Sequence, residues 1–163
     1  ALLGIGNIAT KVAERAKAFG MRVVAYDKYV SSSPVAEMMG LEEAVREADY
    51  ISMHLPYTPE TDKIIGKDLI SKMEKKPVII NTGRGKCVDE YAMAEALENG
   101  SVSWFCTDVY SSEPPEVDSN PLFKAKNVTF TPHVGANTNE NLLRIGQEVC
   151  QTIEKYQKEG LIK

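Results

Sequence analysis

The chain has 163 residues, 43% hydrophobic and 26% charged, a globular composition long enough to bury one core without disulfide or metal staples. Its net charge of −4 excludes a general attraction to nucleic acid or anionic lipid, so any bound anion has to be held by local donors. Cys87, Cys106 and Cys150 are odd in number and widely spaced, which excludes a paired zinc motif and reads as reduced thiols in a cytoplasmic protein, while no apolar run reaches the roughly 18 residues of a membrane span.

Ala1 to Ile5 reads as a short strand running into glycines, followed by a helix over Ala9 to Phe19 with Val12, Ala16 and Phe19 at helical spacing and a stop at Gly20. The opening Ala1-Leu2-Leu3-Gly4 is a strand already about to turn and carries no initiator Met, so residues 1–163 read as one domain cut from something longer. Met21 to Tyr26 is a second strand ending at Asp27. Helical patterns follow over Val35 to Met39 and Leu41 to Ala48, and Tyr50 to Leu55 is the third strand. Thr58-Pro59-Glu60-Thr61 breaks the chain before a helix centred on Leu69, Ile70 and Met73. Pro77 to Ile80 is a buried fourth strand, Asp89 to Leu97 a helix closed by Asn99-Gly100, Val102 to Val109 a fifth strand and Val128 to Thr131 a sixth. A long amphipathic helix ends the chain, with Leu142, Ile145, Val149, Ile153 and Tyr156 at three- and four-residue steps.

This alternation predicts an α/β fold: a doubly wound, parallel, six-stranded sheet of the Rossmann type with helices on both faces, because parallel neighbours need crossover connections. In such sheets ligands collect beyond the carboxyl ends of the strands.

Gly4-Ile5-Gly6-Asn7-Ile8-Ala9 matches the dinucleotide fingerprint with Ala at the third small position. Gly4 allows the tight turn, Gly6 leaves room for pyrophosphate, and Ala9 lets the helix approach the strand. The Asn7 and Ile8 N–H groups, at a helix N-terminus, then receive the phosphates. Alone the pattern also suits a plain structural turn. Asp27, 21 residues after Gly6 at the end of the second strand, points to a dinucleotide and to NAD, since its carboxylate accepts from the adenosine ribose hydroxyls and repels the 2′-phosphate of NADP. Lys28 beside it partly offsets that repulsion.

Three polar runs each follow an apolar, strand-like segment: Asn81-Thr82-Gly83-Arg84-Gly85, Asp108-Val109-Tyr110-Ser111-Ser112-Glu113-Pro114, and Thr131-Pro132-His133. They put Arg84, Glu113 and His133 at the carboxyl side of the expected sheet. A fixed cation, a carboxylate and an imidazole are the parts needed to hold an anionic substrate and move a proton. Singly, Arg84 reads as a solvated loop arginine, Glu113 as a turn residue and His133 as a surface histidine; jointly they read as catalytic. His54 reads as structural or adenosine-side packing, and Met38, Met39 and Met73 as core fillers.

Together with His54-Leu55-Pro56, Thr58 to Thr61, Asn81 to Asp89 and Thr131 to Thr138, these runs resemble the D-2-hydroxyacid dehydrogenase family over nearly the whole chain. The resemblance implies an NAD-binding domain, normally inserted into a substrate-binding domain built from the two ends of a longer chain and absent from this one, and a homodimer formed through the nucleotide domain. In such proteins the residue matching His133 exchanges a proton with the substrate hydroxyl while hydride passes between its carbon and the nicotinamide. Glu113 matches the carboxylate that partners this histidine and favours its protonated form. Arg84 matches the group that holds the substrate's carboxylate and carbonyl oxygen, a task for a planar cationic fork.

By the same resemblance Leu55 and Thr61 lie near the adenosine, Thr82 and Gly83 near the nicotinamide riboside, Asp108 at the carboxamide side, and Gly135 and Ala136 along the ring pocket beyond His133. Arg84 and His133 count among the cofactor contacts as well. Phosphoglycerate is the first expectation for the hydroxyacid. Gly83 stands where the family often has Ala, and Trp104 and Phe105 where many members carry small residues. A second reading is an NAD-responsive interaction protein of the C-terminal-binding-protein corepressor type, which shares the fold and the trio, although nothing in the chain resembles a partner-recognition segment. Formate dehydrogenases place an amide where this chain has Glu113.

Overall fold

The structure, a computed structural model, describes residues 1–162. Its first strand, β1 (Leu2–Leu3), shows how the sheet is covered. Successive side chains of a strand leave on opposite faces. Leu2 packs with Ala9, Ala13 and Ala25, whereas Leu3 packs with Ile51, Met53 and Ile79.

The other strands are β2 (Val24–Tyr26), β3 (Glu37–Met38), β4 (Tyr50–Met53), β5 (Val78–Asn81), β6 (Trp104–Thr107) and β7 (Val128–Phe130). They form one sheet in the order β3-β2-β1-β4-β5-β6-β7, and every pairing is parallel. The connections carry α1 (Asn7–Ala18), α2 (Leu41–Arg46), α3 (Lys67–Ile70) and α4 (Glu90–Glu98), and α5 (Asn139–Lys158) follows β7. This is the Rossmann arrangement, with the strand order reversing between β1 and β4.

The sheet has seven strands rather than the six expected. The extra one, β3, falls in the stretch Val35 to Met39 that the apolar spacing predicts as helix. Five residues are too few to repay helix nucleation or to separate the two periods. The free edge of β2 offers acceptors instead: Glu37 N–H donates to the Val23 carbonyl at 3.0 Å and Met39 N–H to the Ala25 carbonyl at 2.9 Å. Several other elements are shorter than expected, α3 being a single turn.

The two faces are covered unequally within Ala1–Thr131, the first of two compact units. Val45, Ile65, Leu69, Val88, Met93 and Leu97 close the large core over Leu3, Ile51, Ile79 and Phe105. On the opposite face α1 covers Leu2 and Ala25, but along the same register row Ser52, Ile80 and Cys106 are partly exposed and Thr129 is exposed. Trp104 lies on this open side, with its indole N–H donating to Thr129 Oγ1 at 2.9 Å, while Phe105 points into the core at 1% exposure. The two bulky side chains Trp104 and Phe105 are thereby accommodated on opposite faces of β6.

The second unit, Pro132–Lys163, is built on α5. Thr138 caps the helix by accepting from Asn141 N–H at 3.2 Å. Leu142, Ile145, Val149, Ile153 and Tyr156 recur along it as the spacing predicts, and all are exposed.

Candidate functional site

The glycine turn follows β1 directly. Gly4 has φ +93°, and a Cβ there would meet the His54 carbonyl oxygen at 2.9 Å, so both its conformation and its space require glycine. Gly6 is the N-cap of α1, with an extended backbone and no side-chain cap among the described residues. A Cβ on Gly6 would enter open space. The first turn of α1 therefore presents backbone N–H groups that no described side chain caps, with Asn7 and Ile8 exposed.

Asp27 stands beyond β2. Its Oδ2 accepts from Ile5 N–H at 3.0 Å, and its Oδ1 from Tyr29 N–H at 2.9 Å and Val30 N–H at 3.2 Å. Burial works to raise its pKa, but the three backbone donors outweigh that and hold the carboxyl below its usual value. Ionised, it fixes the glycine turn to its own turn and retains lone pairs for hydroxyl donors. An uncapped helix start, an unfilled glycine cradle and an anchored carboxylate form a donor set that fits the diphosphate and ribose of a dinucleotide.

Beyond β4, His54 is half-buried, its Nε2 and Ser52 Oγ are hydrogen-bonded at 2.9 Å, and burial lowers its pKa. It is structural. Leu55 belongs to the core at 8% exposure. Thr61 closes a tight turn: its hydroxyl donates to the Pro56 carbonyl at 2.7 Å and accepts from Thr58 N–H at 2.8 Å.

Beyond β5, the fully buried Asn81 shapes the segment through Arg84. Its Oδ1 accepts from Gly83 N–H at 3.0 Å, and its Nδ2 donates to the Arg84 carbonyl at 3.1 Å. Thr82 and Arg84 are exposed, and the Arg84 guanidinium donates back to the Gly83 carbonyl at 2.8 Å. A Cβ on Gly83 would lie 3.2 Å from the Met53 carbonyl oxygen, a tight fit against β4. At Gly85 the approach is closer still, since an added Cβ would stand 1.9 Å from the Tyr110 carbonyl carbon and oxygen. The Arg84 loop and the loop that leads to Glu113 thus meet backbone to backbone.

Beyond β6, Asp108 is buried, and Thr131 Oγ1 donates to its Oδ1 at 2.5 Å. Tyr110 stacks with Phe123 and Phe130, and its hydroxyl donates to the Thr131 carbonyl at 2.8 Å. Burial raises the Tyr110 pKa, and the carboxylates Asp108, Glu113 and Glu90 add to the rise, so the phenol stays a donor. Glu113 is exposed on this loop, next to a cis peptide bond to Pro114. Glu90, at the start of α4 and only 8% exposed, holds the loop by accepting from Ser111 N–H, Ser111 Oγ and Asn120 Nδ2. His133, Gly135 and Ala136 belong to the second unit and are exposed there, His133 with a left-handed backbone at φ +55°.

A groove lined by Val12, Ala16, Met21, Ala48 and Tyr50 lies toward the amino ends of the strands of the first unit. No group of three or more metal-ligating side chains occurs among the described residues, and no helix among them is long and apolar enough to cross a membrane.

Residues 1–135 match the family model for the D-isomer specific 2-hydroxyacid dehydrogenase, NAD binding domain. The chain belongs to that family. As a D-2-hydroxyacid dehydrogenase domain it is 42% identical over 160 residues to D-3-phosphoglycerate dehydrogenase of Methanocaldococcus jannaschii, covering 94% of this chain and 30% of that protein. Among solved structures of the family, a glyoxylate reductase from Paecilomyes thermophila is 32% identical with a TM-score of 0.89, covering 98% of this chain and 49% of that one. The D-lactate dehydrogenase from Aquifex aeolicus, complexed with NAD and lactic acid, is 33% identical with a TM-score of 0.87, covering 98% and 53%. The chain thus spans about a third to a half of the length of these relatives.

Within this NAD-binding domain the expected residues Gly4, Gly6, Asn7, Ile8, Asp27, Leu55, Thr61, Thr82, Gly83, Arg84, Asp108 and Glu113 all follow strand carboxyl ends of the first unit. Sequence reasoning missed Asn81 and Glu90, which shape the loops that carry Arg84 and Glu113. Asn81 carried a usable signal, a polar residue ending an apolar strand just before a glycine. Glu90 reads only as an acidic first-turn residue after the Asp89 cap.

Proposed function

We propose that this domain serves an enzyme that moves hydride between NAD(H) and carbon 2 of a D-2-hydroxyacid or 2-keto acid, with 3-phosphoglycerate the first candidate substrate and a separate substrate-binding domain completing the cleft. The supporting observation is the set of anchored groups beyond the strand ends: the glycine cradle with Asp27 on one side of the switch point, and the Arg84 loop pressed against the Glu113 loop at Gly85 and Tyr110 on the other.

In this reading Gly6, Asn7 and Ile8 hold the diphosphate, Asp27 the adenosine ribose, Leu55 and Thr61 the adenosine side, and Thr82, Gly83, Asp108, Gly135 and Ala136 the nicotinamide side. When bound, the nicotinamide supplies or takes the hydride. Arg84 clamps the substrate carboxylate and orients the carbonyl oxygen, which a planar fork does with two parallel bonds. Reduction of the ketone needs a proton at that oxygen; His133 gives it, and takes it back in oxidation, while Glu113 stabilises the protonated imidazole. Asn81 and Glu90 keep the loops of Arg84 and Glu113 in place.

We place the protein in the cytoplasm as a homodimer. Its three free thiols agree with a reducing compartment. The test is a panel of 2-hydroxyacids and 2-keto acids offered to a protein that joins this domain to a substrate-binding domain, followed by NADH absorbance. Turnover of phosphoglycerate or another D-2-hydroxyacid is expected; no turnover of any of them would overturn the reading.

A further inference from the structure

We infer that Glu60 is a positioning residue for cofactor choice: it holds Lys28 away from the adenosine ribose and so keeps the domain selective for NAD over NADP, an inference that rests on the cofactor reading above. Lys28 follows Asp27, where a free cation would attract a 2′-phosphate and undo the repulsion that Asp27 supplies. Lys28 Nζ instead donates to Glu60 Oε2 at 2.5 Å, across 32 residues of sequence. The pair joins the segment beyond β2 to the segment beyond β4, the two strands that flank β1 and its glycine turn.

Both partners stand on pinned backbone. The turn that carries Lys28 is closed by Tyr29 and Val30 N–H groups on Asp27 Oδ1. The turn that carries Glu60 is closed by Thr61, whose hydroxyl joins the Pro56 carbonyl and Thr58 N–H. Lys28 Nζ also lies 5.6 Å from the centroid of the Tyr29 ring, a second contact of the same ammonium. Because the pair is half exposed, its effect is modest and screened by salt. Glu60 is therefore expected to change selectivity rather than folding.

The experiment titrates NADH and NADPH, by fluorescence, into the 163-residue chain and its Glu60→Gln, Lys28→Ala and double variants. Glu60→Gln is expected to tighten NADPH by about three- to fivefold, the upper scale of an exposed ion pair, with NADH affinity within about twofold of the parent. In the Lys28→Ala background the same Glu60 change should have no effect on NADPH, because Glu60 acts through Lys28. Raising salt should shrink the gain in the single variant. Unchanged NADPH affinity in Glu60→Gln would overturn the inference, and so would an equal gain with Lys28 absent, since Glu60 would then act only as a charge. Failure of the parent chain to bind NADH would overturn the cofactor reading itself, and the inference with it.

Discussion

Glu90 accepts two hydrogen bonds from Ser111, from its backbone N–H at 3.1 Å and its hydroxyl at 2.5 Å, and so ties the start of α4 to the loop that carries Glu113. A third bond, from Asn120 Nδ2 at 2.7 Å, ties the far side of the same loop to the same carboxylate. A buried carboxylate is tolerated here because its donors replace water.

Glu90→Ala removes the shared acceptor and leaves the buried Asn120 amide without it. A loss of about 2–3 kcal/mol in urea unfolding is expected, the scale of hydrogen bonds to a charged group, together with faster proteolytic nicking between residues 111 and 120. Unchanged midpoint and nicking rate would show that Glu90 does not organise the loop.

Gly4 and Gly6 should separate fold from ligand. Gly4→Ala places a methyl 2.9 Å from the His54 carbonyl oxygen at φ +93° and should lower the thermal midpoint. Gly6→Ala meets open space, so it should leave the midpoint nearly unchanged while weakening NADH at least about tenfold, because the methyl occupies the cradle. Full NADH affinity in Gly6→Ala would contradict the phosphate assignment.

At Gly85 the expectation is a larger structural cost. A methyl 1.9 Å from the Tyr110 backbone forces the Arg84 and Glu113 loops apart, for about 3 kcal/mol or more in urea unfolding. An unaltered midpoint would mean that the two loops are not held together at this point.

Much of this was legible in the sequence. Strand and helix alternation, the glycine turn and Asp27 are carried by local patterns, and each sits where periodicity and turn chemistry put it. β3 was not legible, because a run of a few residues takes its conformation from the free edge of β2 rather than from its own spacing. Glu90 and the Lys28–Glu60 pair were hidden for another reason: their partners lie 21 to 32 residues away, and only the folded sheet brings them together.

His54 gives a dependence on pH. Burial lowers its pKa from 6.5, so below that value the unfolded imidazole takes up protons that the folded one refuses. The unfolded state then binds more protons, and stability is lost as pH falls through the window below 6.5. Asp27 acts in the same direction but lower: its depressed pKa gives stability that is present above the ordinary value of 3.8 and lost as pH falls further. Urea midpoints at pH 7.5 and pH 5 should therefore fall more for the parent than for His54→Asn. Equal falls would refute the assignment to His54.

His133→Ala, in a protein that joins this domain to a substrate-binding domain, separates proton transfer from cofactor binding, because His133 is one of many groups proposed to face the cofactor. NADH affinity, by fluorescence titration, should stay within about twofold while kcat drops by about two to four orders of magnitude, the usual range for removing a general acid. Normal turnover in that variant, or a loss of activity explained entirely by lost NADH binding, would show that His133 does not move the proton.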